Sequence, residues 1–180
     1  MTNKKDIRNL NIEELAQFCF IHNLPKFRAK QVWEWLWKKR ATSFKEMTSI
    51  SKKTRELFKD HFIINSIKIH NEEISSDGTI KYSFKLHDSL LIEGVLIPSK
   101  KRLTACISSQ VGCSLSCKFC ATGTLKLERN VTASEIYEQV FLLNEQAALI
   151  FGKPISNIVY MGMGEPLLNY KSVVNSTNYI

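Results

Sequence analysis

The chain has 180 residues, room for one domain or two small ones, and 44% of them are hydrophobic, which excludes a disordered polyelectrolyte. No apolar run approaches the roughly 18 residues of a membrane span, and Met1-Thr2-Asn3-Lys4-Lys5-Asp6-Ile7 holds no apolar leader core, so a soluble cytoplasmic protein without a membrane partner is expected. The formal charge is +8, and it is concentrated: residues 1–62 hold 14 Lys+Arg against 7 Asp+Glu, whereas residues 63–180 hold 11 against 10. A basic first third favours a nucleic-acid partner, although a solvated helical surface would look the same.

The first elements in chain order are helical. Asn11 stands three residues before Glu14, a capping-box pattern that predicts a helix through about Ile21. After His22-Asn23-Leu24-Pro25, the residues Ala29, Val32, Trp33, Leu36 and Trp37 fall at helical spacing and mark one buried face. Ser43 and Glu46 repeat the capping pattern, and Ile50, Thr54, Leu57, Phe58 and His61 mark the face of a further helix. Residues 1–64 therefore read as a small basic helical domain. Its tryptophans could stack on bases, but Trp33 and Trp37, on the apolar face, read as core.

From Ile67 the period becomes two. Ile67 and Ile69 alternate with polar residues, Asp77-Gly78 is a turn signal, and Ile80, Tyr82, Phe84 and Leu86 alternate again. Leu90 to Ile97 is a further apolar run closed by Pro98, with the carboxylate of Glu93 inside it. Residues 65–98 are expected to form a small antiparallel sheet. The pattern then changes to strand (Leu103–Ser108), cysteine loop, helix, strand and glycine loop. Thr132 and Glu135 cap the helix, Ile136, Val140, Leu143, Ala147 and Ile150 line its buried face, and Gly152 stops it. Ile158–Met161 reads as a short strand of a parallel sheet.

The chemistry lies in Gly112-Cys113-Ser114-Leu115-Ser116-Cys117-Lys118-Phe119-Cys120-Ala121-Thr122-Gly123. Five cysteines are an odd number and three of them crowd into eight residues, which suits metal in a reducing compartment better than a disulfide framework. Thiolates spaced C-x₃-C-x₂-C can reach three corners of an iron–sulfur cubane and leave one iron open. A zinc site would need a fourth ligand, for which Cys106 is the only nearby candidate, because His22, His61, His70 and His87 all lie far upstream. Behind the next strand, Met161-Gly162-Met163-Gly164-Glu165-Pro166 offers close backbone approach at the glycines and a negative charge at Glu165.

This spacing, with an aromatic before the last cysteine, resembles the radical S-adenosylmethionine (SAM) superfamily. The resemblance narrows at Ser108-Ser109-Gln110-Val111-Gly112-Cys113, at Phe119-Cys120-Ala121-Thr122-Gly123, at Arg129-Asn130-Val131-Thr132-Ala133-Ser134-Glu135-Ile136 and at Met161–Pro166 with Leu167-Leu168-Asn169-Tyr170. Together with Lys30-Gln31-Val32-Trp33-Glu34-Trp35-Leu36 upstream, these segments look like the RlmN/Cfr family of RNA adenine methyltransferases. The implied fold is α/β: a partial radical SAM (βα) barrel at residues 99–180, preceded by the helical accessory domain and the short antiparallel extension. The resemblance implies a [4Fe-4S] cluster on Cys113, Cys117 and Cys120, SAM held through Gly164 and Glu165, and an external electron donor. It implies two uses of SAM: one methylates a cysteine of the enzyme, and the other yields the 5′-deoxyadenosyl radical that activates this methyl group. The carbon radical adds to adenine, at C2 in most members, in 23S rRNA and tRNA. Glu93 matches the family's proposed proton acceptor, and Cys106 matches the cysteine that releases product by forming a disulfide.

One departure stands out. The family's methyl-carrying cysteine lies near the C-terminus, but no cysteine follows Cys120, and only 76 residues run from Ala105 to Ile180 where a barrel takes on the order of 200. The sequence therefore looks like the N-terminal part of such an enzyme, inactive by itself and expected to be monomeric. The rival expectations are a C8-methylating relative and a non-catalytic RNA-binding or zinc module.

Overall fold

The computed structural model describes residues 4–180; Met1–Asn3, part of the leader reading, lie outside them. The chain divides into two compact units, one ending at Asn65 and the other spanning Ser66–Ile180.

The first unit is built on three helices: α1 (Ile12–Ile21), α2 (Phe27–Trp37) and α3 (Lys52–His61). The Asn11 side chain accepts the Glu14 backbone N–H at 2.8 Å, while Glu14 accepts that of Asn11 at 2.7 Å, the reciprocal cap expected for α1. Ala29, Val32, Leu36 and Trp37 are buried along α2, as the spacing requires. Ser43 and Glu46 behave differently from expectation. They bracket only a 3₁₀ turn (Phe44–Glu46), and the Ser43 hydroxyl donates to the Glu46 carboxylate at 2.8 Å instead of accepting a backbone N–H. The working cap of α3 is Ser51, which accepts the Thr54 N–H at 3.3 Å. A two-residue parallel ladder, β1 (Lys5–Asp6) with β2 (Phe62–Ile63), closes the unit end to end. Asp6 secures that closure by accepting the Arg8 N–H at 2.9 Å and the Asn65 N–H at 3.2 Å. Phe18, Phe58 and Phe62 meet in its aromatic core.

The second unit is mixed α/β. Three antiparallel strands, β3 (Lys68–Ile74), β4 (Ile80–Lys85) and β5 (Leu91–Pro98), continue into β6 (Leu103–Cys106), again antiparallel. After β6 come the short β7 (Gln110–Val111) and β8 (Arg129–Asn130), which pair with each other, then α4 (Ala133–Phe151), β9 (Asn157–Val159) and α5 (Tyr170–Thr177). β9 joins β6 in parallel, so the antiparallel extension and the βαβ segment share one five-stranded sheet of order β3-β4-β5-β6-β9.

The pleat sorts this sheet into two faces. Ile80, Tyr82, Phe84, Ile92, Leu96, Leu103 and Ala105 pack with Ile136, Val140, Leu143 and Ala147 of α4 into the core. Lys81, Ser83, Glu93, Val95, Thr104 and Cys106 alternate with them and take the other face. Two expectations need correction. Ile150 is 48% exposed, because the last turn of α4 packs Phe151 rather than Ile150 against the core, and Met161 is 78% exposed, because the strand ends at Val159.

Candidate radical SAM site

Strand β6 delivers its chemistry to the open face. Cys106 is buried, and its register partner on β5 is Val95; two residues earlier on β5 stands Glu93, opposite Ser108 in the continued register. The Glu93 carboxylate is not an isolated charge in an apolar strand. It faces Lys81 Nζ at 3.4 Å, and Lys81 also reaches Glu73 at 3.2 Å, so a carboxylate–ammonium–carboxylate row crosses β3, β4 and β5. Burial pushes the Cys106 thiol above its usual range, partly offset by the Met161 backbone N–H directed at its sulfur.

Beyond Cys106 the backbone leaves the ladder and is caught by side chains. Gln139 of α4, fully buried, accepts the Ser108 N–H at 2.9 Å and donates to the Ser108 carbonyl at 3.0 Å, taking the place of a neighbouring strand. The Ser108 hydroxyl donates to the Glu93 carbonyl at 2.5 Å and accepts the Met163 N–H at 2.8 Å. Gln110 accepts the Glu165 N–H at 2.9 Å and donates to Asn130 at 2.8 Å. Asn169 donates to the carbonyls of Ser109 and Val131, both at 2.7 Å.

These bonds press the glycine loop against the Ile107–Gln110 backbone. A Cβ on Gly162 would lie 2.8 Å from the Ile107 carbonyl group, and one on Gly164, whose φ is +91°, would lie 2.4 Å from Gln110 Cβ. Only glycine fits there. The Glu165 carboxylate accepts the Leu167 N–H at 2.9 Å and caps a 3₁₀ turn, Pro166–Asn169.

Cys113, Cys117 and Cys120 follow β7 on one loop, all free and partly exposed. Turn bonds from Cys120 N–H to the Cys117 carbonyl and from Gly123 N–H to the Cys120 carbonyl, both 3.0 Å, shape it. Phe119 at its tip is 94% exposed. Three thiols with no imidazole or carboxylate among them are a soft donor set that fits an iron–sulfur cluster. Among the described residues, no three His, Cys, Asp or Glu side chains are already gathered as a ligand group.

Behind the loop, Arg129 binds Glu135 through both guanidinium nitrogens at 2.9 and 2.8 Å, and Asp88 through Nε at 2.6 Å. Burial would raise the Glu135 carboxyl, but Arg129 and the Thr132 cap hold it below its usual range. The Arg129 to Ile136 segment thus ties β8 to the start of α4.

Residues 5–64 match a family model described as the ribosomal RNA large subunit methyltransferase N-terminal domain. Likeness to RlmN proteins runs over nearly the whole chain. It is 54% identical to a "Probable dual-specificity RNA methyltransferase RlmN" of Christiangramia forsetii, over 98% of this chain and 50% of that protein. It is 47% identical to the "Dual-specificity RNA methyltransferase RlmN" of Oleidesulfovibrio alaskensis, over 95% of this chain and 49% of that one. The fold is similar to the crystal structure of a radical SAM methyltransferase from Sphaerobacter thermophilus, with a TM-score of 0.79 and 34% identity over 97% of this chain and 51% of that chain. The chain therefore spans about half the length of the RlmN relatives it matches. The expected resemblance to the RlmN/Cfr family is borne out by these matches.

Sequence reasoning missed Gln139 and the reach of Asn169. A glutamine three residues after Ile136 and four before Leu143, both on the buried face of the helix, was the available signal for the first.

Proposed function

We propose that this chain is the N-terminal part of a radical SAM methyltransferase that methylates C2 of adenine in 23S rRNA and tRNA, with a basic accessory domain at residues 1–64 and the first strands of a (βα) barrel at 99–180. One observation carries the reading: the glycine loop is bonded to Ser108 and Gln110, on the same backbone that runs into the cysteine loop. A cofactor bridging both loops would therefore be gripped by one platform.

In this reading Cys113, Cys117 and Cys120 hold a [4Fe-4S] cluster, and Gly164 and Glu165 contact SAM. When bound and reduced by an external donor, the cluster supplies the electron that cleaves SAM. The protein's own groups carry the proton and sulfur steps. Glu93, on the open sheet face, accepts the proton that leaves the methylated adenine carbon, and Lys81 stands beside it at 3.4 Å. Cys106, on the same face, loses its proton and attacks the sulfur of the methyl-carrying cysteine; a sulfur–sulfur bond forms as the carbon–sulfur bond breaks, and the electron pair left on the carbon takes up a proton to complete the product's methyl group. That second cysteine lies beyond this sequence in the reading. Burial keeps Cys106 protonated until then, which guards it against premature oxidation.

Anaerobic reconstitution tests the assignment. Cys113→Ala, Cys117→Ala and Cys120→Ala should each lose stoichiometric iron and sulfide, whereas Cys106→Ala should keep both. A full cluster in any of the first three variants, or zinc in place of iron in the parent, overturns the site. Mass mapping of adenine from a host complemented with the full-length gene tests the chemistry, and a C8 product alone overturns the C2 reading.

A further inference from the structure

The first unit contains a groove of about 760 Å³ whose lining sorts by chemistry. One wall is a stripe on α3, Lys52, Arg55, Glu56 and Lys59, at the i, i+3, i+4, i+7 spacing that aligns side chains on one helical face. Phe58 and Thr54 of the same helix are buried, so the stripe faces away from the core. Thr42–Lys45 line it as well, and Phe62, Ile63 and Ile64 supply the apolar part of the lining. Lys4 enters at one end, its ammonium donating to the Lys59 carbonyl at 2.6 Å.

Five cations and one carboxylate thus line a recess with an aromatic and aliphatic base. Only Lys59 has a carboxylate partner among the described residues, Glu56 at 3.6 Å; Lys45 and Lys52 have none. Arg55 donates to the Lys45 carbonyl, which pins its guanidinium to the wall, while its Nε has no hydrogen-bond partner among the described residues. Phe62 makes ring contacts to Phe18 at 4.8 Å and Phe58 at 6.3 Å, which join the groove's apolar lining to the aromatic core.

We infer that this groove binds a short single-stranded stretch of RNA, phosphates on the cationic side chains and an unstacked base on the apolar lining at Phe62–Ile63. The stripe from Lys52 to Lys59 spans about 10 Å, room for neighbouring phosphates of one strand. An apolar lining among cations can be used only by a base whose face is free; a duplex buries that face in its stack and offers only its backbone. The inference deepens the RNA-substrate reading and rests on it, but it concerns binding alone.

Fluorescence anisotropy on the 180-residue chain, without iron or SAM, tests it with labelled hexauridylate and a duplex of equal length. The chain should bind the single strand at least tenfold more tightly than the duplex. Lys45→Glu with Lys52→Glu should weaken single-strand binding at least tenfold and flatten the slope of log affinity against log salt by about 0.7 per lost phosphate contact. Ile63→Ser should weaken binding several-fold and leave the salt slope unchanged, as loss of a base contact requires. Lys30→Glu, on α2 outside the groove, should change affinity less than twofold. Absence of binding, equal affinity for the duplex, equal loss in Lys30→Glu, or a poly-glutamate peptide that binds as tightly through Lys45 and Lys52 would each overturn the inference. Failure of the methylation reading registers elsewhere, in cluster loading and modified adenine, with groove binding intact.

Discussion

Gln139 and Ser108 exchange two hydrogen bonds, side-chain amide to backbone amide, at 2.9 and 3.0 Å in the interior of the second unit. The pair lets the chain leave β6 without stranding a buried N–H and carbonyl, and it sets where the Ser108 hydroxyl meets the glycine loop. Gln139→Leu keeps the volume and removes both partners. We expect it to lower unfolding free energy by about 2–4 kcal/mol, the cost of two buried backbone groups left unpaired. Urea denaturation checks this, and a loss under about 1 kcal/mol would show that the backbone finds other partners.

The glycines differ in what substitution would do. Gly164→Ala adds a Cβ at 2.4 Å from Gln110 Cβ in a positive-φ conformation, and Gly112→Ala adds one at 1.9 Å from the Lys126 carbonyl oxygen. Both should displace their loops and cost several kcal/mol, on the scale of the larger single-site effects. Gly152→Ala, also at positive φ but with nothing within 4 Å, should cost only the left-handed backbone penalty of about 1 kcal/mol. Thermal melts of the three variants should show Gly152→Ala mildest by a clear margin.

Acid should act through Glu135. Its folded-state pKa is depressed, so it stabilises the fold above the unfolded carboxyl value, near 4.3, and that contribution is lost as pH falls toward the folded value. Arg129→Met leaves burial unopposed by the cation. It should lower stability at pH 7 by about 2–3 kcal/mol and shrink the loss between pH 5 and 3, because the carboxyl then protonates readily in the folded state. Denaturation series at several pH values measure both effects; parallel profiles for parent and variant would refute the coupling.

The five thiols should separate by reactivity. Iodoacetamide at pH 7.5 should label Cys113, Cys117 and Cys120 first, because they are partly exposed, and Cys19 and Cys106 last. Burial raises the pKa of both slow thiols, so their reactive thiolate is scarce near neutrality and grows as pH is raised. Peptide mass mapping over time reads the order. Labelling of Cys106 in step with the loop cysteines would contradict its burial.

What could be read from residues was local. Asn11 with Glu14, and Thr132 with Glu135, announce α1 and α4 because each cap closes within four residues. The same pattern at Ser43 and Glu46 misleads, since both side chains satisfy each other and the chain turns only once. Ile150 continues the apolar spacing of α4, but the spacing does not tell that its neighbour Phe151 is the one packed against the core. The cysteine and glycine loops stood out by spacing, whereas their connection through Ser108 and Gln110 bridges 55 residues and left no periodic trace. The β1–β2 ladder was invisible for the same reason, its two short strands lying at opposite ends of the first unit.

The switch from antiparallel to parallel pairing at β6 sets a time order for assembly. β3 through β6 can zip as successive neighbours, each closing a short loop, whereas β9 reaches β6 only after the chain has travelled through the cysteine loop and α4, with Ser156 returning to Leu103. Late, long-range closure is entropically slow. Gly162 and Gly164 meet Ser108 and Gln110 only once that return is made, so the last contacts to form in this unit are those that shape its glycine loop. Pulse-labelled hydrogen exchange should accordingly protect the amides of β4 and β5 before those of Met163 and Glu165.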